Sequence, residues 1–171
     1  MIKNYSHFLK ESLDLNYSYD YEYVETKTGV YDNEEYVEYL YQFSDDENRK
    51  YMTTISFYNF WTQCISMDFQ DYESYLDDEK NNKGFEDRTY LNTNRKDSIK
   101  ILNTVVKILK EFYDENCEED KDIITHIVFT AEPKRLRIYK SIINRFFPDS
   151  EVEHEELGDD GEIFYQIELN V

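Results

Sequence analysis

Ser98-Ile99-Lys100-Ile101-Leu102-Asn103-Thr104-Val105-Val106-Lys107-Ile108-Leu109-Lys110-Glu111-Phe112-Tyr113, followed by Ile123-Ile124-Thr125-His126-Ile127-Val128-Phe129, is the stretch whose reading decides the fold. In its first part Ile99, Leu102, Val106 and Leu109 form one stripe and Ile101, Val105, Ile108 and Phe112 its neighbour. The spacing predicts a helix from Asp97 or Ser98, either able to cap it, to about Tyr113, with an apolar face wide enough for deep burial. The second part is a near-continuous apolar run of strand length, as expected for a central strand covered on both faces.

Upstream of the helix the period changes from that of a helix to two. Tyr17, Tyr19, Tyr21 and Tyr23 alternate with Ser18, Asp20 and Glu22, and Val37, Tyr39, Tyr41 and Phe43 alternate with Glu38, Leu40 and Gln42. Each segment reads as a strand with one buried face, the two joined by a polar connection through Gly29 to Glu34. After a turn at Ser44 to Asn48, residues 51–60 and 63–69 read as two more strands, with Thr53, Ile55 and Phe57 on the same side as Ile65, Met67 and Phe69. Residues 71–94 are polar and read as a long surface loop with a helical turn near Tyr75.

Downstream of the apolar run, Pro133 suits the first turn of a second helix that carries Leu136, Tyr139, Ile142, Ile143 and Phe146 and stops before Pro148. Glu151 to Glu155 and Ile163 to Leu169 read as a hairpin turned by Gly158 to Gly161. The expected class is α+β: an antiparallel β meander, then helix, strand, helix and hairpin, giving a mixed sheet flanked by two main helices. Residues 1–171 form one domain in this reading, with a short amphipathic helix or leader-like segment over 1–15.

The chain has 38 acidic and 19 basic residues, a net charge of −19, which repels nucleic acid and anionic lipid and favours basic protein surfaces. Seventeen tyrosines and eleven phenylalanines supply apolar area despite that charge. Cys64 and Cys117 read as free thiols of a reducing compartment, and no run approaches the roughly 20 apolar residues of a membrane span. The expectation is a protein that binds neither nucleic acid nor membrane directly and uses no cofactor or metal.

The segment over roughly 97–171 resembles the second half of the GNAT acetyltransferase fold. Asn103-Thr104-Val105-Val106, Ile127-Val128-Phe129-Thr130-Ala131 and Arg135-Leu136-Arg137-Ile138-Tyr139 are similar to small uncharacterised proteins of tailed phages. In acetyltransferases a Gly-rich loop opening the long helix holds the coenzyme pyrophosphate on backbone amides, whereas Asn92 to Ser98 contains no glycine. The resemblance therefore implies the fold without the coenzyme A loop. Lys3 to Glu11 resembles the targeting leaders of internal head proteins of T-even-like phages, with Leu9-Lys10-Glu11 at the position of their cleavage site.

Contact candidates follow from charge and aromaticity. Lys134, Arg135, Arg137 and Lys140, with Arg145, gather positive charge on one helix, where an anion or acidic partner could dock or where neighbouring carboxylates pair with them. Acidic runs that include Asp77, Asp78 and Glu79, and Glu118, Glu119 and Asp120, either imitate the phosphate track of a duplex or serve as solvated surface. Trp61 reads as an interface anchor or a turn-packing residue. His7, His126 and His154 lie in unlike contexts and no serine or cysteine carries an elbow motif, so no catalytic residue is assigned. The leading expectation is a non-enzymatic phage protein, virion-associated or an assembly component, working through a protein partner in the virion or host cytoplasm. The alternatives are an acidic anti-defence inhibitor that mimics DNA before a host enzyme, and an acetyltransferase.

Overall fold

Four strands run up and down in sequence order: β1 (Tyr21–Tyr31), β2 (Glu34–Ser44), β3 (Lys50–Tyr58) and β4 (Cys64–Asp71). Helices α1 (Tyr72–Lys80) and α2 (Ser98–Cys117) follow, then β5 (His126–Ala131), β6 (Glu151–Glu156) and β7 (Ile163–Glu168). The computed structural model describes residues 17–31, 33–58, 64–81, 98–117, 126–131, 141, 143–144, 146–148, 150–156 and 163–169.

The strands form one seven-stranded sheet in the order β1-β2-β3-β4-β5-β7-β6. Among the described strands only β4 and β5 run parallel, paired from Cys64 opposite His126 to Ser66 opposite Val128, and a parallel pair needs a crossover, which here contains α2. The protein is thus α+β, a mixed open sheet with two helices among the described residues.

Two tight turns set the meander's register. Tyr31 lies opposite Glu34, and Asn33 between them takes a left-handed φ of 67°, which asparagine tolerates better than most residues. At the β2–β3 turn Asn48 does the same with a φ of 59°, and the Asp45 carboxylate accepts from the amides of Glu47 and Arg49, both at 2.9 Å. Arg49 Nε at 2.5 Å and the Tyr51 hydroxyl at 3.0 Å also donate to Asp45. Burial works against this charge, but the Arg49 and Tyr51 bonds outweigh it and hold the carboxyl below its ordinary range.

The two sheet faces differ. On one, Tyr39, Phe43, Tyr51, Ile55, Ile65 and Met67 meet Ile101, Val105, Ile108, Leu109 and Phe112 of α2, joined by Ile127 and Ile167. Each fully buried aliphatic side chain there is worth about 1.5–3 kcal/mol. On the other face the cross-strand rows are Glu38–Ser56–Ser66 and Leu40–Thr54–Asp68, then Met52 beside Gln70. All eight are buried, yet most are polar. Helix α1 is tied to this face, since Gln70 donates to Asp78 at 2.8 Å and Lys27 donates to Tyr75 at 2.6 Å.

Several expectations change. Residues 72–80 are a helix rather than a loop, because Asp71 caps it, accepting from the amide and hydroxyl of Ser74 at 3.0 and 2.8 Å. The first strand starts at Tyr21 rather than Tyr17 and continues through Gly29 to Tyr31, so most of the predicted polar connection is ladder. Cross-strand pairing with Val37 and its neighbours carries Thr26 to Val30 as strand although they lack an apolar alternation. Gly29 lies opposite Tyr36, whose ring crosses the space that a β-carbon would occupy.

Tyr17 and Tyr19 instead lie along α2. Asn103 donates to the Tyr17 carbonyl at 3.0 Å, and the Tyr19 amide donates to Thr104 Oγ1 at 2.8 Å. Those two polar residues of the long helix, both buried, hold the entry to β1. The central strand runs over His126–Ala131, with Ile127, Val128 and Phe129 buried as expected, and α2 extends to Cys117. Beyond β5, Ser141, Ile143, Asn144 and Phe146 are helical, and Ile143 and Phe147 join the core before Pro148. The predicted segments at 1–15, 133–140 and 157–161 lie outside the described residues.

Candidate functional site: a tyrosine-lined acidic cleft

Pairing of β1 with β2 sets Tyr23 opposite Tyr41 and Tyr21 opposite Phe43, and a bulge at Val24 then brings Thr26 opposite Tyr39. Tyr21, Tyr23, Tyr39 and Tyr41 therefore share the face toward α2. From α2 come Ile108, Glu111, Phe112, Glu115 and Asn116, whose spacing places them on one side of the helix. Together these nine residues line a cleft of about 360 Å³.

Its floor is aromatic, with the Tyr39 and Phe112 ring centroids 4.9 Å apart. Its wall is a run of edge-on tyrosines: Tyr21 to Tyr41 at 5.9 Å and Tyr23 to Tyr41 at 5.7 Å. The rim is acidic. Tyr21 donates its hydroxyl to Glu111, and burial together with that bond pushes its phenol well above the ordinary range. Tyr41 is pushed up to about 12 by burial, then by the charge of Glu115 and the neighbouring Tyr23 and Tyr39. Both phenols stay protonated and uncharged at neutral pH.

Glu115 is exposed and has no cation or hydrogen-bond partner among the described residues. Of the acids, Lys107 reaches Glu111, at 3.9 Å, and Lys110 pairs with Asp114. The i−4 neighbour of Glu115 on α2 is Glu111, so the helix offers it like charge there. The last turn of α2 carries no basic residue, although the negative end of a helix favours cations.

The same chemistry appears nearby with a cation supplied by the chain. A larger cleft of about 520 Å³ is lined by Tyr19, Asp20, Glu22 and Asp46 and contains Lys100, whose ammonium lies 4.0 Å from the Tyr19 ring centroid and 3.3 Å from Asp46. Lys27 over Tyr75, Lys50 over Tyr72 and Lys107 over Tyr21 repeat the pairing at 5.2, 5.5 and 5.7 Å. Against Tyr23, Tyr39 and Tyr41 no lysine or arginine of the described chain is stacked.

Of the sequence-predicted contact residues, Asp77, Asp78 and Glu79 lie among the described residues. Lys134, Arg135, Arg137, Lys140, Trp61, Glu118, Glu119 and Asp120 lie outside the described residues. In the run Asp77 to Glu79 the acids diverge: Asp77 is exposed, Asp78 is buried against Gln70, and Glu79 takes Lys27 at 2.5 Å. Asp78 is therefore not part of an acidic surface, because helical geometry turns it toward the sheet. Burial opposes the Lys27 charge, but the bonds to Glu79 and Tyr75 hold its ammonium above the ordinary value.

Among the described residues no group of three or more His, Cys, Asp or Glu is arranged to hold a metal, and no helix is long and apolar enough to cross a membrane. His126 is half-buried in β5, and Cys64 is a free thiol whose pKa burial raises. The cleft is not visible in the sequence alone, because its tyrosines read as the buried face of two strands. The signal was the charge order of α2, in which lysines at 100, 107 and 110 precede acids at 111, 114 and 115, the reverse of what a helix prefers.

A family model described as a family of unknown function (DUF6934) matches residues 25–167, a span that includes Tyr39, Tyr41 and the whole α2 side of the cleft. None of the curated proteins and none of the solved structures gives a match.

Proposed function

The chain belongs to the DUF6934 family, of unknown function, and from that premise we propose that it is a non-enzymatic binding domain that receives a basic protein partner. The observation that carries this reading is the cleft between β1, β2 and α2, where the Tyr23, Tyr39 and Tyr41 rings and the Glu115 carboxylate meet without a cation of the described chain, Lys107 engaging the Tyr21–Glu111 edge instead. A net charge of −19 supplies the long-range attraction for such a partner, and the cleft supplies a place for contact.

In this proposal the protein is phage-encoded and acts in the virion or its assembly, in line with the resemblances of Lys3 to Glu11 and of Asn103 to Val106. The order of α2, β5, the helical residues 141, 143, 144 and 146 and the β6–β7 hairpin supports a GNAT-like core. An inhibitor that imitates DNA draws support from the net charge alone. Several exposed acids, Asp46 and Glu47 at the β2–β3 turn and Glu79 on α1, are instead engaged by Lys100, Arg49 and Lys27.

The test is affinity capture from infected-host lysate with the natural chain and the Glu115→Gln variant, each washed at low and high salt. The binding-domain reading expects basic phage particle proteins that are retained by the natural chain and depleted with the variant. A host nucleic-acid enzyme captured equally by both proteins and lost at high salt would replace it with the inhibitor. Acetyl-CoA binding by calorimetry would replace it with the acetyltransferase.

A further inference from the structure

We propose that the cleft is an arginine receptor: it takes the guanidinium of one arginine in the partner, stacked on the exposed Tyr23 ring, which meets Tyr41 edge-on, and paired with Glu115. This rests on the binding-domain reading and adds the ligand chemistry to it. A cationic side chain is indicated by the aromatic walls, the acidic rim and the helix end without a basic residue. Its volume, about 360 Å³, lies at the lower end of ordinary ligand pockets, which admits one long side chain and not a folded segment.

Arginine is distinguished from lysine and from methylated lysine by the acceptors. Glu111, Glu115 and Asn116 spread oxygens over little more than one helical turn. Asn116 donates its side-chain amide to the Phe112 carbonyl at 2.9 Å, which orients the group and leaves its oxygen to accept. A guanidinium presents five donors in a planar fork that can stack on a ring and bind a carboxylate at once. An ammonium places its donors at a single point. A trimethylammonium has none and would desolvate Glu115 and Asn116 without bonding them. The tyrosine hydroxyls remain neutral, so the ligand's charge is answered by Glu115 rather than by phenolate, Glu111 being already bonded by Tyr21 and approached by Lys107.

The experiment titrates the whole chain with three peptides identical except for one central residue, arginine, lysine or trimethyllysine, flanked by the same basic residues. Affinity and tyrosine ring shifts are read for the natural chain and for Glu115→Gln and Glu73→Gln. Both variants remove one exposed carboxylate, but Glu73 lies on α1, away from the cleft. The expected result is arginine preferred over lysine by about fivefold or more, a loss of about tenfold in Glu115→Gln, and little change in Glu73→Gln. Equal affinity for arginine and lysine, or equal losses in the two variants, would overturn the receptor while leaving a general preference for basic partners. Tighter binding of trimethyllysine would overturn the guanidinium assignment. Absence of binding by all three peptides at low salt would overturn both proposals.

Discussion

The two faces of the sheet bury similar rows of side chains and do so with opposite chemistry. Against α2 the rows are aromatic and aliphatic, with Phe112 packed on both Tyr39 and Phe57. Against α1 they are Glu38, Ser56, Ser66, Thr54, Asp68 and Gln70, with directional bonds such as Ser56 to Glu38 at 3.3 Å and Gln70 to Asp78 at 2.8 Å. Hydrophobic burial is non-directional and collective, whereas each buried polar group depends on one or two particular partners. The α2 face should therefore carry most of the stability, and the α1 face most of the sensitivity to the identity of a single atom.

The largest effect that could break this contrast is on the apolar side. Ile55→Ala, at a position with no solvent exposure, should cost about 2–5 kcal/mol in denaturant unfolding. A loss below about 1 kcal/mol would mean that the α2 face is not the main source of stability. On the polar side, Gln70→Leu adds apolar area but removes a donor from buried Asp78, and should still cost about 1–3 kcal/mol. A gain there would show the polar network to be dispensable.

Acid sharpens the comparison at the β2–β3 turn. The folded-state value of Asp45 is depressed, so its contribution is present above the ordinary carboxylate value of about 4 and is lost as pH falls through the depressed value. Asp45→Asn should flatten the acid limb of the melting temperature against pH, and an unchanged limb would assign acid sensitivity elsewhere.

Smaller effects come from hydroxyls and charges. Thr53 Oγ1 faces α2 and Ser66 Oγ faces α1, and both are buried without a hydrogen-bond partner among the described residues. Thr53→Val should stabilise by about 1 kcal/mol, and Ser66→Ala should stay within about 0.5 kcal/mol, as thermal unfolding would show. Glu115→Lys should stabilise the end of α2 by roughly 0.5 kcal/mol while removing the proposed receptor, and a variant that both melts higher and still binds arginine peptides would separate the cleft from the function.

Much of the framework was legible in the sequence because it depends on periodicity. The α2 stripes, the alternation of Val37 to Phe43 and the apolar run into β5 each specify an element and its buried side. Less legible were the features that depend on a partner distant in sequence. Thr26 to Val30 has no pattern of its own and is strand because β2 pairs with it. Asp78 reads as surface and is inside because the capped helix α1 turns it toward Gln70. The cleft was hidden for a related reason: a tyrosine row has one appearance whether a helix covers it fully or stops short, and only the position of Glu111 to Asn116 over β1 and β2 decides which.

The strand order has a consequence for how the sheet is assembled. β1 to β4 pair with their immediate neighbours in sequence, through short loops whose closure costs little entropy. β5 has no such neighbour: it is bordered by β4 across the whole α2 crossover and by β7, which the chain reaches only after β6. Six residues thus join an antiparallel meander to a separate hairpin, and without them the sheet divides into two pieces. Cooperativity of the whole domain passes through Ile127, Val128 and Phe129, whose amides should exchange with deuterium only when the two halves come apart.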